Sequence, residues 1–174
     1  MSYNEESTIK YKKANNTFVS CPPQKGSSRV NISGEPRLGC VGDASECAGI
    51  ISKWIDTTVW MPKRHSMEEL TKMIEQGIPI REFWVLGDPI IGYLSFNREL
   101  SQIMGLYVAF PGDGAGKLLM GKVKEGKKFI QLWSHLANTS AHRFYYREGF
   151  NKMETNQNGQ DGIPEIRFEW NISA

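Results

Sequence analysis

The segment Pro111-Gly-Asp-Gly-Ala-Gly-Lys117 constrains the architecture of this chain more than any other, because glycine stands at every second position from 112 to 116. Such a run cannot continue a helix or a strand, since each glycine in an element interior costs about 0.5–1 kcal/mol relative to alanine. It separates the apolar run Ser101–Ala109, read as a strand, from Lys117–Glu125, read as a helix. A helix N-terminus presents unpaired N–H groups and the positive end of its dipole, and glycines before it let the backbone close on a diphosphate without Cβ clashes. The loop therefore reads either as a tight turn or as an anion site.

The punctuation around it sets the order of elements. Arg37–Val41 is a short strand candidate. Asp43-Ala-Ser-Glu46 carries capping-box spacing ahead of Ile50, Ile51, Trp54 and Ile55, which share one helix face. Ser66-Met-Glu-Glu69 is a second capping box, followed by Leu70, Met73 and Ile74 and closed by Gly77. Pro62, in the linker TTVWMPKRH, prevents one continuous helix. Glu82–Leu86 and Pro89–Asn97 read as a hairpin split by Gly87-Asp88, and Phe129–Trp133 as a short buried strand. Asn138–Glu148 reads as a helix ending at Gly149, and Phe150–Glu154 with Glu165–Trp170 as an antiparallel pair joined by the polar loop NQNGQDG. The order β-α-α-β-β-β-α-β-α-β-β predicts the α/β class, a mixed central sheet flanked by helices on both faces.

At 174 residues, 40% hydrophobic and 23% charged, the chain is sized and composed for one globular domain, expected over residues 35–174. Residues 1–34, rich in Asn, Ser, Lys and Pro, read as a poorly ordered or loosely attached arm. A net charge of +2 with dispersed basic residues gives no nucleic-acid footprint. No apolar run reaches the ~20 residues of a membrane helix, and the N-terminus lacks the pattern of a signal peptide, so a cytoplasmic location is expected. Cys21, Cys40 and Cys47, odd in number and without CxxC spacing, argue against a disulfide framework and against a zinc site; no metal is expected.

Two phosphate-binding loops fail on spacing. A P-loop needs four residues between its glycines and a hydroxyl after the lysine; here three residues separate Gly112 from Gly116, and Leu118 follows Lys117. A dinucleotide fingerprint needs G-x-G-x-x-G after the first strand of a βαβ unit, but the third glycine here comes one residue early and after a late strand.

Residues 106–120, LYVAFPGDGAGKLLM, resemble the cofactor-binding segment of the GNAT (Gcn5-related N-acetyltransferase) superfamily, a strand, a Q/R-x-x-G-x-G/A loop and a helix. Gly114 and Gly116 match the final G-x-G; Pro111 stands where the family usually has Gln or Arg, and the loop is about two residues shorter. The block QLWSHLANTSAHRFYYREGF (131–150) is similar to the family's later strand-helix unit, with Asn138, Ala141, Phe144, Tyr145, Gly149 and Phe150 on its signature positions. Weaker similarity in WMPKRH and PEIRFEW points to a bacterial-type subgroup, and the resemblance covers roughly residues 36–170.

The resemblance implies the GNAT fold and transfer of an acetyl group from acetyl-CoA to a primary amine, on a small molecule or a peptide, by direct transfer in a ternary complex. It implies that backbone groups of Leu106, Tyr107 and Val108 pair with the pantetheine arm, and that the N–H groups of Gly112, Asp113, Gly114, Ala115, Gly116 and Lys117 receive the diphosphate. Asn138 is expected on a pantetheine amide and equally as a plain helix N-cap, with Ala141 and Phe144 beside the cofactor. Tyr145 is the expected general acid for the CoA thiolate, a core aromatic being the alternative role. The base is left among His135, His65 and Glu69. Lys122, Lys124, Lys127 and Lys128 are candidates for the CoA 3′-phosphate or a solvated face, and Trp60 for the acceptor pocket. A monomer or a homodimer is expected. The altered loop keeps open a non-catalytic CoA-binding sensor or partner subunit.

Overall fold

The computed structural model describes residues 34–172, so the N-terminal arm read from residues 1–34 lies almost wholly outside the described residues. The elements are β1 (Arg37–Leu38), α1 (Ala44–Thr57), α2 (Met67–Gly77), β2 (Glu82–Leu86), β3 (Gly92–Asn97), β4 (Gln102–Val108), α3 (Ala115–Lys124), β5 (Phe129–His135), α4 (Thr139–Arg147), β6 (Asn151–Asn156) and β7 (Glu165–Asn171), with 3₁₀ turns at Val41–Asp43 and Ile78–Ile80. The seven strands form one sheet in the order β1-β2-β3-β4-β5-β7-β6. Every neighbouring pair is antiparallel except β4 and β5, which run parallel and are joined by α3.

Period-two alternation divides the sheet into two buried faces. Leu86, Leu94, Phe96, Ile103, Ile130, Leu132, Ile166 and Phe168 point to one face and pack on Leu119, Met120 and Val123 of α3 and Tyr145 of α4. Phe83, Val85 and Tyr93 point to the other, against Ala44, Cys47 and Ile50 of α1. Ala48 and Ile55 of α1 meet Leu70 of α2 beyond them. The apolar spacing read from both helices thus serves helix–helix as well as helix–sheet packing.

Three local readings are corrected. The Asp43/Glu46 box does not form: the Asp43 carboxylate takes the Cys40 N–H at 2.8 Å and both guanidinium branches of Arg37 at 2.8 Å, while Glu46 accepts from the Ile90 N–H at 2.8 Å. Charge-assisted bonds to a strand and a distant loop win over a local cap. Gly77 does not stop α2 in a left-handed conformation; the chain stays helical into the 3₁₀ turn at Ile78. Cys40 is disulfide-bonded, against the expectation of no disulfide, since an odd count still allows one bridge; Cys47 is a free, buried thiol. The Ser66/Glu69 box forms as read, with Glu69 N–H donating to Ser66 Oγ at 3.2 Å and Ser66 N–H to Glu69 Oε2 at 2.7 Å.

Candidate active site

The parallel pair β4–β5 is the place where the sheet opens. Its register holds for two residue pairs, Gln102 with Gln131 and Ile103 with Leu132, and then ends, although both strands continue. A bulge explains the divergence. Ser95 faces Gly105 but Phe96 faces Ile103, so Met104 is an extra residue on β4, inserted where pairing with β5 stops. Bulges bend a strand and increase its twist.

Beyond the bulge, β4 remains paired with β3. The Ala109 N–H donates to the Ile91 carbonyl at 2.7 Å, and alternation along an antiparallel ladder then turns the polar groups of Tyr107 and Gly105 toward β3. Those of Leu106 and Val108 face the gap. The expectation that the Tyr107 backbone also lines it is corrected: its partner is Tyr93, and its side chain stacks among Tyr93 and Trp54 on the α1 face.

At the mouth of the gap, Gly112 and Gly114 hold φ of +101° and +90°, which an L side chain rarely adopts, and a Cβ at either would meet open space. Gly114 is the N-cap of α3, which starts two residues earlier than the sequence reading placed it. Ala115, Gly116 and Lys117 are therefore its first turn, with N–H groups that have no intrahelical acceptor. Gly116 is where α3, α4 and β4 converge; a Cβ there would lie 3.4 Å from the Phe144 ring and 4.0 Å from Val108. Ala141 and Phe144 are half-buried against the core beneath. Asp113 is exposed, so its carboxylate opposes an anion that the backbone around it favours.

Asn138 caps α4, its Oδ1 accepting from the Ala141 N–H at 3.3 Å and the Ser140 hydroxyl at 3.1 Å. Among the described residues its amide NH₂ has no partner, so capping leaves both donors available. Tyr145, about two turns further into α4, packs its ring on Phe144, Phe150 and Phe168. Its hydroxyl makes no hydrogen bond with the described residues and is not sealed from solvent. Burial, with a smaller contribution from Tyr107, pushes the phenol well above its ordinary range.

The opposite wall holds groups that the sequence reading kept apart. His135 belongs to β5 itself, and its Nε2 lies 2.7 Å from Asp161 Oδ2, from the polar loop before β7. Trp60 packs on the His135 ring at 5.4 Å and on Trp54 at 5.6 Å. Arg64 donates to the Asp161 carbonyl at 2.7 Å, fastening the linker between α1 and α2 to the same loop. Burial and then Asp161 push the Tyr107 phenol up to about 12. Asp161 was missed because a lone acid in a polar loop carries no periodic or motif signal. His65 is exposed on the linker, and the Glu69 carboxylate is taken up by its capping box.

The lysines lie elsewhere. Lys122 pairs with Glu125, Lys124 donates to the Glu148 carbonyl at 2.6 Å, and Lys127 pairs with the buried Glu82. All three sit at or beyond the last turns of α3, whereas the glycine loop is at its start; Lys117 is exposed in the first turn. The open depression of about 600 Å³ lined by Glu82, Arg98, Lys127 and Lys128 is likewise remote from the gap, beside the paired end of β4 and β5. Among the described residues no group of three His, Cys, Asp or Glu side chains could hold a metal ion, and no helix is long and apolar enough to cross a membrane.

A family profile described as the acetyltransferase (GNAT) domain matches residues 42–172. Among solved structures, the fold is shared with yncA from Salmonella typhimurium, determined with its cofactor acetyl-CoA (16% identity over 79% of this chain and 93% of that one, TM-score 0.62). It is shared with a ribosomal-protein-alanine N-acetyltransferase from Brucella melitensis (16% identity, 79% and 98%, TM-score 0.63). It is shared too with the microcin C7 self-immunity acetyltransferase MccE in complex with acetyl-CoA and AMP (16% identity, 81% and 94%, TM-score 0.61). No curated protein matches the sequence significantly.

Proposed function

From the premise that the chain belongs to the GNAT acetyltransferase family, we propose that it transfers an acetyl group from acetyl-CoA directly to a primary amine within a ternary complex. The observation that carries this reading is the gap itself: β4 and β5 part after Ile103 and Leu132, leaving the polar groups of Leu106 and Val108 without a strand to pair with. An extended chain bearing amides at strand-like spacing completes such an edge, and pantetheine is one. The diphosphate then meets Gly112, Asp113 and Gly114 and the N–H groups of Ala115, Gly116 and Lys117, where the α3 dipole favours negative charge. The Asn138 amide donates to a pantetheine carbonyl, with Ala141 and Phe144 alongside.

A gap-facing N–H of β4 polarises the thioester carbonyl, a contribution of about 3–4 kcal/mol when such a donor is preorganised. The amine nitrogen attacks the carbonyl carbon, the C–S bond breaks, and sulfur takes its proton from the Tyr145 hydroxyl. Burial keeps that proton in place at neutral pH, which suits an acid rather than a base.

Calorimetry with acetyl-CoA and thiol release with a panel of amines test the reading in sequence. Binding followed by amine-dependent thiol release supports it; acetyl-CoA that does not bind at millimolar concentration refutes it. Binding without thiol release from any amine supports instead a CoA-holding sensor or partner subunit, the reading that Pro111 favours by leaving the loop without the family's usual Gln or Arg.

A further inference from the structure

We propose that Asp161 fixes His135 as the base that takes the proton from the acceptor ammonium, with His135 Nε2–H donated to the carboxylate and Nδ1 presented to the acceptor. The proposal rests on the acetyl-transfer reading and adds a positioning residue to it.

The tautomer follows from the contact. Asp161 is held below the usual carboxylate range: burial works the other way but is outweighed by the Ile163 N–H, which reaches Oδ1 at 3.0 Å, and by His135 on Oδ2. An ionised carboxylate only accepts, so Nε2 carries the hydrogen, and in the neutral ring the lone pair lies on Nδ1. Nδ1 has no partner among the described residues. Asp161 is itself restrained at three atoms, since Arg64 binds its carbonyl as well. The pair is accessible, with side chains 22% and 28% exposed.

Position supports the role. His135 ends β5, the strand that forms one wall of the gap, while Tyr145 packs from α4 on the other face of the sheet. The Trp60 indole covers the imidazole from the linker side. The charged and titratable groups around the ring are Asp161, Glu165 across the β5–β7 ladder, Arg64 through the loop, Tyr107 through Asp161, and His142. His142 lies on the α4 side of the sheet, where its ring packs on Phe168 at 5.3 Å and its Nε2–H donates to the His135 carbonyl at 3.0 Å, and it has no carboxylate partner among the described residues.

In the step, Nδ1 takes one proton from the ammonium, and the freed lone pair forms the C–N bond to the thioester carbon. The tetrahedral intermediate collapses with the C–S electron pair leaving on sulfur. Sulfur is protonated by Tyr145, which regains a proton from the intermediate's nitrogen, and the imidazolium returns its own to water. The products are the amide, free CoA thiol and one proton.

The chain has three histidines, so the ¹⁵N spectrum of the full protein, with His135→Gln for assignment, reads the His135 tautomer directly. The expected result is a neutral Nε2–H tautomer that is lost in Asp161→Asn. With spermidine, tyramine and an alanyl dipeptide as acceptor probes, kcat in Asp161→Asn should fall about 10–100-fold, as expected when an orienting carboxylate or general base is compromised. The KM for acetyl-CoA should stay unchanged, which also reports an intact fold, and Asp161→Glu should recover part of the rate. An Nδ1–H tautomer in the wild type, or a kcat in Asp161→Asn within twofold of wild type, overturns the pairing while leaving acetyl transfer standing. Failure of acetyl-CoA to bind overturns the base and the acetyl-transfer reading together.

Discussion

Replacing Tyr145 by phenylalanine separates the chemistry of the site from its architecture, because the ring and the hydroxyl do different work. The ring lies 5.6 Å from Phe144, 5.9 Å from Phe150 and 5.6 Å from Phe168, contacts that Phe reproduces. The hydroxyl has no hydrogen-bond partner among the described residues, so removing it orphans nothing. Stability should therefore change by no more than about 0.5 kcal/mol. A general acid contributes about 10²–10⁴ in rate, or roughly 2.7–5.5 kcal/mol at 1.36 kcal/mol per decade. The kinetic loss thus exceeds the structural one about fivefold or more. Acetyl-CoA affinity, which in the proposed site relies on backbone groups of other elements, should stay within about threefold, well under 1.4 kcal/mol. Burial raises the phenol's pKa, so the proton remains below about pH 10 and the deficit should be the same at every pH from about 6 to 9. Thiol release under saturating acetyl-CoA measures it, with denaturant unfolding as the control. A variant that keeps wild-type kcat across that range, at unchanged stability, would show that Tyr145 is a core aromatic and no acid.

Three other substitutions test the remaining parts. Asp113→Asn removes the one carboxylate in the glycine loop and should tighten acetyl-CoA binding severalfold at low salt, by about 0.3–1 kcal/mol, with the gain fading as salt is added; calorimetry at two ionic strengths decides it. Gly116→Val brings side-chain carbons against Phe144, whose ring lies 3.4 Å from a Cβ there, and should cost about 1–3 kcal/mol of stability together with donor affinity. Asp43 and Glu82 are both held below the usual carboxylate range. In each, burial acts in the opposite sense but is outweighed, at Asp43 by Arg37 and the Cys40 N–H, at Glu82 by Trp84, Lys127 and Arg98. A depressed folded pKa adds stability above the unfolded value near 4 and loses it as pH falls through the folded value. Unfolding free energy should be flat above about pH 5 and fall below about pH 4, and Asp43→Asn should flatten that fall; an unaltered acid limb in the variant counts against the Arg37–Asp43 pair as its source.

How far the sequence could be read depended on whether a feature was local. Ser66 with Glu69, Asn138 before α4 and Gly149 after it are decided within one turn of chain, and each is found where its spacing places it. Asp43 and Glu46 have the same local signature, yet Asp43 turns back to Arg37 and Cys40, six and three residues earlier, and Glu46 serves Ile90, which only tertiary structure brings to it from 44 residues on. The glycine loop was legible as a helix start because positive φ and a following apolar face are local demands. The Met104 bulge was not, since an extra residue exists only relative to a partner strand. Asp161 was hidden for a related reason: its meaning comes from His135, 26 residues earlier, and from Arg64 on a linker 97 residues away.

The gap opens at the one parallel pair among the described strands. Antiparallel neighbours such as β2–β3 and β3–β4 are tied by short turns and cannot part without breaking a hairpin, whereas parallel strands need a crossover and are free to diverge at their ends. Here α3 is that crossover, and it must start at the carboxyl end of β4. The chain leaves β5 at the corresponding end and enters α4 within four residues. Two helix N-termini, at Gly114 and Asn138, therefore stand at the carboxyl ends of the two parallel strands, where α/β sheets hold ligands in the crevice. The bulge at Met104 then decides the depth of the crevice, since it halts pairing two residues into the strand instead of at its end. Because the opening passes through the sheet, α3 and α4 supply groups from one face and the Trp60 linker and the Asp161 loop from the other. In the proposed mechanism, an acid on α4 and a base at the end of β5 thus serve the leaving group and the nucleophile from opposite sides of the sheet.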